Sequence, residues 1–342
     1  MKKSLIIALG AIAMVACTKT TVDYEPTGEI KFAPVTRVNT KAAVETTVFP
    51  AEWNMIVYGY YDKSAPVGST YQEGTFSEVY LDSVLFAKKG DYWAGSPKPY
   101  YWPKTGSILF AAVAPSTFSQ AAVKHDFKSN TFSVAKMEQL EDFSECIDLL
   151  YAPYDKSRLA SVVDMPFYHA FTWLTIKAQA AAEINVKIKS IKLLGMAKEA
   201  VADTLPTWKS SGTKDLTVFS TTETDGVAVP SADFKEFANA PKSVLLLPQS
   251  LTSNAKLEIT YSMDKGDGTY VEQAPFVVAF ENIQTNKKVS IDKFEAGKHY
   301  VYDISFGATT EILIKPEVKP WDEVTMDNIS ATNTTKGGGE NN

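Results

Sequence analysis

The chain has 342 residues, 45% of them hydrophobic, which is enough for two ordinary domains with cores of their own. Lys and Arg total 34 against 40 Asp and Glu, and the resulting formal charge of −6 is scattered along the chain. A nucleic-acid partner wants a concentrated basic face, so that class is set aside, whereas sugars and proteins are not.

In chain order, the first predicted element is an export signal. "MKKSLIIALGAIAMVAC" has a short basic start, an apolar run from Leu5 to Val15, and small Ala16 before Cys17. The run is about half of the roughly twenty apolar residues that span a bilayer. Residues 1–16 are therefore predicted to be a signal peptide, which leaves 342 − 16 = 326 residues. The four residues "MVAC" resemble the lipobox of bacterial lipoproteins, with Met14 where leucine is usual. That resemblance implies cleavage before Cys17 and acylation of its thiol, and two or three acyl chains anchor stably at about 0.8 kcal/mol per buried methylene. The plainer alternative is an ordinary signal peptide whose cysteine is incidental. With Cys17 acylated, Cys146 is left without a disulfide partner, so stability has to come from burial.

The stretch "EIKFAPVTRVNTK" follows, with Ile30 and Phe32 on one strand parity and Glu29 and Lys31 on the other. It holds Arg37, which with Arg158 makes two arginines against 32 lysines; a solvated loop charge is the plain reading. Next come "YGYYDKSAPVGSTY" and "PKPYYWPKTG", whose rings either stack on sugars or close the ends of a sandwich core. Tyr60, Tyr61 and Tyr71 are the better sugar candidates, because they flank a Gly/Ser/Pro loop. "SVAKMEQLEDFSECIDLL" tolerates a helical reading, and a loop over residues 155–162 marks the expected seam between two domains.

Beyond the seam, "EINVKIKSIKLLG" puts Ile184, Val186 and Ile188 on one parity and Ile191 and Leu193 on the other. That change of phase predicts a bulge or a hop between sheets near Ser190. "ADFKEFANA" reads as a single helical turn at most. "KLEITYSMD" alternates Leu257, Ile259 and Tyr261 against polar neighbours, Asp267-Gly268 supplies positive-φ residues for a hairpin turn, and "PFVVAFENI" continues as β. Many short strands between turn signals predict an all-β chain of sandwiches, with domains over residues 38–164 and 165–326. Residues 327–342 are polar and Gly/Asn-rich and read as a disordered tail.

No catalytic constellation is visible. His125, His169 and His299 are far apart in sequence, with no Cys, Ser or carboxylate at a spacing for a nucleophile or a zinc site. His169 shares parity with Phe167, Phe171 and Trp173 and reads as buried or interfacial. "DKGDG" from Asp264 lacks the spaced carboxylates of a calcium loop and reads as a hairpin. No catalytic residue, metal or cofactor is assigned. The acids of a glycosidase converge only in space, and the sequence gives no positive sign of them.

Four blocks carry a resemblance: "YYWPKTGSILFAAVAP" from Tyr100, "DLLYAPYDKSRLASVVDMPFYHAFTWLTIKA" from Asp148, "VLLLPQSLTSNAKLEITYS" from Val244, and "FEAGKHYVYDISFGATTEILIKPEVKPWDE" from Phe294. In this order they are similar to blocks of the fimbrillin family, lipoprotein subunits of the type V pili of Bacteroidales. The resemblance implies two tandem transthyretin-like β-sandwich domains after a lipoprotein signal peptide, and an outer-membrane lipid anchor through Cys17. It implies a structural subunit of a cell-surface fimbria that supports adhesion, not an enzyme.

The resemblance further implies that residues 17–37 form a lipidated segment with a removable edge strand, whose Ile30 and Phe32 fill a groove of the first sandwich. Pro34 suits the unpaired side of such a strand. An arginine-specific protease would cut between Arg37 and Val38, and a strand from another fimbrillin subunit would take the vacated place and build a head-to-tail polymer. The best donor is the C-terminal run with Ile312, Ile314, Val318 and Trp321, which reads equally well as a plain last strand. Stalk, anchor and tip subunits occur in the family, and the chain's place among them is open. The second reading is a surface glycan-binding lipoprotein or a fimbrial tip adhesin, with Tyr60, Tyr61 or Tyr71 against a host or bacterial surface glycan or protein.

Overall fold

A computed structural model describes residues 28–36, 49–50, 52–118, 122–160, 162–239, 244–264, 266–283, 291–307 and 312–321. Cys17, Arg37 and Val38 lie outside the described residues, as do the signal peptide and the polar tail. The helical elements among the described residues are two single 3-10 turns, Phe143–Glu145 and Phe280–Asn282.

The N-terminal half carries β1 (Lys31–Thr36), β2 (Met55–Asp62), β3 (Glu78–Lys89), β4 (Tyr92–Gly95) and β5 (Ser107–Ala114). It continues with β6 (Val123–Asp126), β7 (Thr131–Glu138), β8 (Leu150–Ala152) and β9 (Val163–His169). The helical reading of residues 133–150 is corrected: Phe132 and Val134 alternate into a core from β7, and only Phe143–Glu145 turns, capped by the Asp142 carboxylate. Seven of these strands close a barrel in the order β1-β4-β3-β2-β5-β8-β9. Met55, Val57, Ile108 and Phe110 fill its interior, while Ile56, Tyr58, Leu109 and Ala111 on the alternate parity pack in a second layer outside it. β2 and β5 are therefore apolar on both faces, which is why they read as unbroken apolar runs.

The C-terminal half carries β10 (Thr172–Ala180), β11 (Val186–Thr204), β12 (Thr207–Ser220), β13 (Val227–Ala228), β14 (Lys235–Glu236) and β15 (Val244–Leu246). Then follow β16 (Gln249–Ser250), β17 (Lys256–Asp264), β18 (Tyr270–Glu272) and β19 (Phe276–Ala279). The last three are β20 (Lys293–Phe294), β21 (Lys298–Phe306) and β22 (Ile312–Pro320). One sheet is built on β10, β21 and β22 and faces another built on β11 and β17, with Leu174, Ile176, Leu193 and Leu257 among the side chains between them.

Against β17, the register of β11 skips Lys189, the bulge expected near Ser190. In the β17–β18 hairpin the positive φ values fall on Gly266 and Gly268 rather than on Asp267, and the Asp264 carboxylate accepts both glycine N–H groups. Lys235–Glu236 pairs with β10 instead of forming a helical turn.

The expected division between residues 164 and 165 falls within β9, and one sheet takes strands from both halves. β11 is nineteen residues long; its first part pairs with β17 and its last part with β7, so the β6–β7 hairpin leaves the barrel to join the eight-stranded sheet of the other half. Phe171, Trp173, Leu245 and Trp321 from one half share a core with Tyr58, Leu109, Val134 and Leu149 from the other.

Candidate functional site

β1 is six residues long and lies between two strands. Lys31 and Phe32 sit antiparallel to Ala94 and Trp93 of β4, while Phe32 to Thr36 run parallel to Val163 to Phe167 of β9. Just upstream, the Ile30 N–H donates to Tyr100 O at 2.7 Å and the Trp102 N–H donates to Gly28 O at 3.0 Å. The expectation of an edge strand is corrected here, because a closed barrel leaves no edge. Only beyond Phe32 does β4 fall away, and Pro34 sits there, where one side of the strand needs no N–H donor.

The parity read from the sequence is realised. Ile30 and Phe32 are 0% exposed, and the Phe32 ring meets Phe86 and Phe110 edge-on, with centroids 4.9 and 5.0 Å away. On the opposite parity, Lys31 Nζ lies 4.3 Å from the centre of the Tyr92 ring and Glu29 lies 3.9 Å from Lys89 Nζ. Full burial of Ile or Phe contributes roughly 1.5–3 kcal/mol each. Two buried anchors and two backbone ladders, to β4 and β9, hold the segment.

β22 has a different setting. It pairs residue for residue with β21, from Lys298 opposite Pro320 to Phe306 opposite Ile312, and among the described residues it has no strand on its other side. Ile312 and Ile314 pack half-buried on the C-terminal core, while Leu313 and Val318 are exposed. Trp321 follows and is buried: its indole stacks on His169 at 3.9 Å with 17° between the planes, and its backbone N–H donates to Gly297 O at 2.9 Å. The donor candidates Ile312, Ile314, Val318 and Trp321 thus occupy the last described strand of their own chain and the residue beyond it.

The three sugar candidates do not form one surface. Tyr60 is buried, stacked on Phe127 at 4.0 Å, with its hydroxyl 2.9 Å from His125 Nδ1, and is withdrawn as a glycan contact. Its place on a strand covered on both faces is the reason. Tyr71 is half-buried and meets the same Phe127 edge-on at 4.9 Å. Tyr61 faces the other way, its ring 5.8 Å from Tyr80 and its hydroxyl donating to Thr105 O at 2.9 Å.

The fold brings together one pair that no sequence spacing indicated. His169 Nδ1 contacts Asp148 Oδ2, and both side chains are wholly buried. The available signal was a carboxylate inside the apolar run Ile147-Asp148-Leu149-Leu150. The other two histidines are structural: burial pushes His125 down to about 4, and His299, stacked on Trp173 at 3.5 Å, down to about 3, with Lys319 and Lys177 adding to the effect. Burial likewise pushes the Cys146 thiol up to about 11, which leaves it protonated at neutral pH. Among the described residues, no three His, Cys, Asp or Glu side chains converge in a metal-binding group.

The sequence matches the model of a family described as fimbrillin-like over residues 36–321. No curated protein matches it. Among solved structures, a fimbrial protein from Bacteroides vulgatus is similar at 15% identity and TM-score 0.58, over 85% of this chain and 99% of that one. A candidate cell adhesion protein from Bacteroides uniformis is similar at 14% identity and TM-score 0.51, over 87% of this chain and 100% of that one. The tip fimbrial protein Mfa3 from Porphyromonas gingivalis aligns at 9% identity and TM-score 0.46, over 86% of this chain and 100% of that one.

Proposed function

The chain belongs to the fimbrillin-like family, and from that premise we propose that it is a structural subunit of a cell-surface fimbria, exported as a lipoprotein and polymerised by exchange of β1 for a strand of a second copy. The observation that carries this reading is the seating of β1: a short segment near the start of the mature chain, with two fully buried anchors and a strand on each side. Emptying its place would expose two rows of unpaired backbone, at roughly 1–3 kcal/mol for each buried group left unsatisfied. A strand of matching parity offsets that cost, and a head-to-tail contact that does not close on itself makes a filament.

The chain contains such a strand. Glu29-Ile30-Lys31-Phe32-Ala33-Pro34 and Glu311-Ile312-Leu313-Ile314-Lys315-Pro316 share the pattern Glu-Ile-x-apolar-x-Pro. In the same register, Ile312 replaces Ile30, Ile314 replaces Phe32, and Pro316 falls where Pro34 escapes β4. Val318 then lies at the position of Thr36.

Maturation by an arginine-directed protease fits the distribution of arginines. Arg158 is protected: its N–H and C=O both bond to Ile108 of β5, at 2.7 and 3.2 Å, and its guanidinium pairs with Asp155 at 2.7 Å. A protease that needs a free extended backbone is therefore kept from Arg158 in the folded chain, which leaves Arg37 as the proposed site. Treating the purified precursor with an arginine-specific protease is expected to yield one new N-terminus at Val38, followed by SDS-resistant ladders. A cut at Arg158 in the folded chain, or a cut product that stays monomeric, contradicts the proposal.

A further inference from the structure

Before β22 can be donated it has to leave β21, and its end is held by the Trp321 ring together with the Trp321 backbone N–H bond to Gly297 O. Trp321 is buried at the seam between the halves, stacked on His169 of β9 and with its ring centre 5.9 Å from that of Trp173 of β10. Behind His169 lies Asp148, from the segment that leads into β8. The rest of β22 is held along one side only, and most of its side chains are exposed.

The seat has an unusual composition for a core. Asp148 Oδ1, His169 Nε2, Trp173 Nε1 and Trp321 Nε1 are all buried without a hydrogen-bond partner in the described protein. Apolar packing would fill such a place more stably than a carboxylate–imidazole contact with spare polar atoms, and buried polar groups without partners are costly. Closure therefore gains the burial of a large ring and leaves polar atoms unhydrated. Opening loses the ring's contacts and hydrates those atoms. The two terms oppose each other at one place, which makes Trp321 easier to withdraw than a tryptophan in an all-apolar core.

We propose that Trp321 is a releasable latch, whose withdrawal frees β22 and at the same moment opens the Asp148–His169 seam to water. Its use in assembly rests on the reading of β22 as the donated strand, but the latch itself is tested on the uncut monomer, where failure to polymerise leaves the result untouched.

The experiment is amide hydrogen exchange on the full chain, with β17, whose ladder partners are β11, β18 and β19, as internal reference. Trp321→Ala is expected to speed exchange in β22 at least tenfold and also in residues 148–152 and 168–173, with β17 unchanged. The distinguishing variants remove the polar atoms behind the ring without touching the indole: Asp148→Leu with His169→Phe, or Asp148→Val with His169→Leu if the first pair does not fold. They are expected to slow exchange in β22 severalfold relative to β17. Unchanged or faster exchange in β22 of the relieved variants overturns the latch, because a merely packed tryptophan has no polar opposition to remove. So does a Trp321→Ala variant whose effect stops at β22.

Discussion

β1 and β22 carry the same spacing of glutamate, isoleucine, apolar residue and proline, yet the fold seats them in different ways. β1 is threaded between β4 and β9 in a closed barrel, whereas β22 lies along β21 with its other side open among the described residues. Ile30 and Phe32 are wholly buried; Ile312 and Ile314, their counterparts, are half-buried, and the end of β22 is fixed by a residue outside the shared pattern, Trp321. The difference teaches that parity decides which side chains turn inward, while the number of backbone partners is a property of the whole topology. The proposed exchange requires one strand to be competent for both settings.

The sharpest test of that difference is a pair of truncations. Phe32→Ala is expected to destabilise the precursor by about 3–5 kcal/mol, since it empties a fully packed aromatic site, and Ile314→Ala by only about 1–2 kcal/mol. Urea unfolding followed by tryptophan fluorescence reads both, and equal losses would break the comparison. Acid comes next. His125, against Tyr60 in the N-terminal layer, and His299, opposite Lys319 of β22, are both held well below the ordinary histidine value by burial. The unfolded chain therefore binds protons that the folded chain refuses, so the stability they contribute is full above about pH 6.5 and is lost as pH falls towards 4 for His125 and 3 for His299. Each is expected to cost on the order of 2 kcal/mol by pH 5. Measured as unfolding free energy against pH, His125→Phe and His299→Gln should each remove roughly half of the slope between pH 6.5 and 5. A slope that neither variant changes assigns the acid sensitivity elsewhere. The smallest effect is expected on the open face of β22: Leu313→Thr should stay within about 0.5 kcal/mol, and a larger loss would mean that this face is covered.

Legibility followed burial. Leu257, Ile259 and Tyr261 were readable as the inner row of a strand because β17 has one wet face, and the slip near Ser190 was readable because it interrupts such a row. β2 and β5 carry no alternation to read, because both of their faces are covered, and this is also why Tyr60 looked like a loop aromatic when it is a core one. In residues 133–150, apolar and polar residues happen to recur at helical spacing, and only the pairing of β7 with β11 resolves the ambiguity. The joining of β6–β7 to the far sheet, the meeting of Asp148 with His169, and the second backbone partner of β1 are all contacts between remote segments. Local pattern carries no record of them. The side-chain half of the candidate site, Ile30 and Phe32 turned inward, was legible; its backbone half was not.

The length of β11 has a mechanical consequence. Its first part is hydrogen-bonded to β17 and its last part to β7, with the ladder irregular at Lys189 and between Leu193 and Met196. The β6–β7 hairpin comes away from the far sheet only if the β7–β11 ladder breaks, so a load on that hairpin is passed along the β11 backbone into β17.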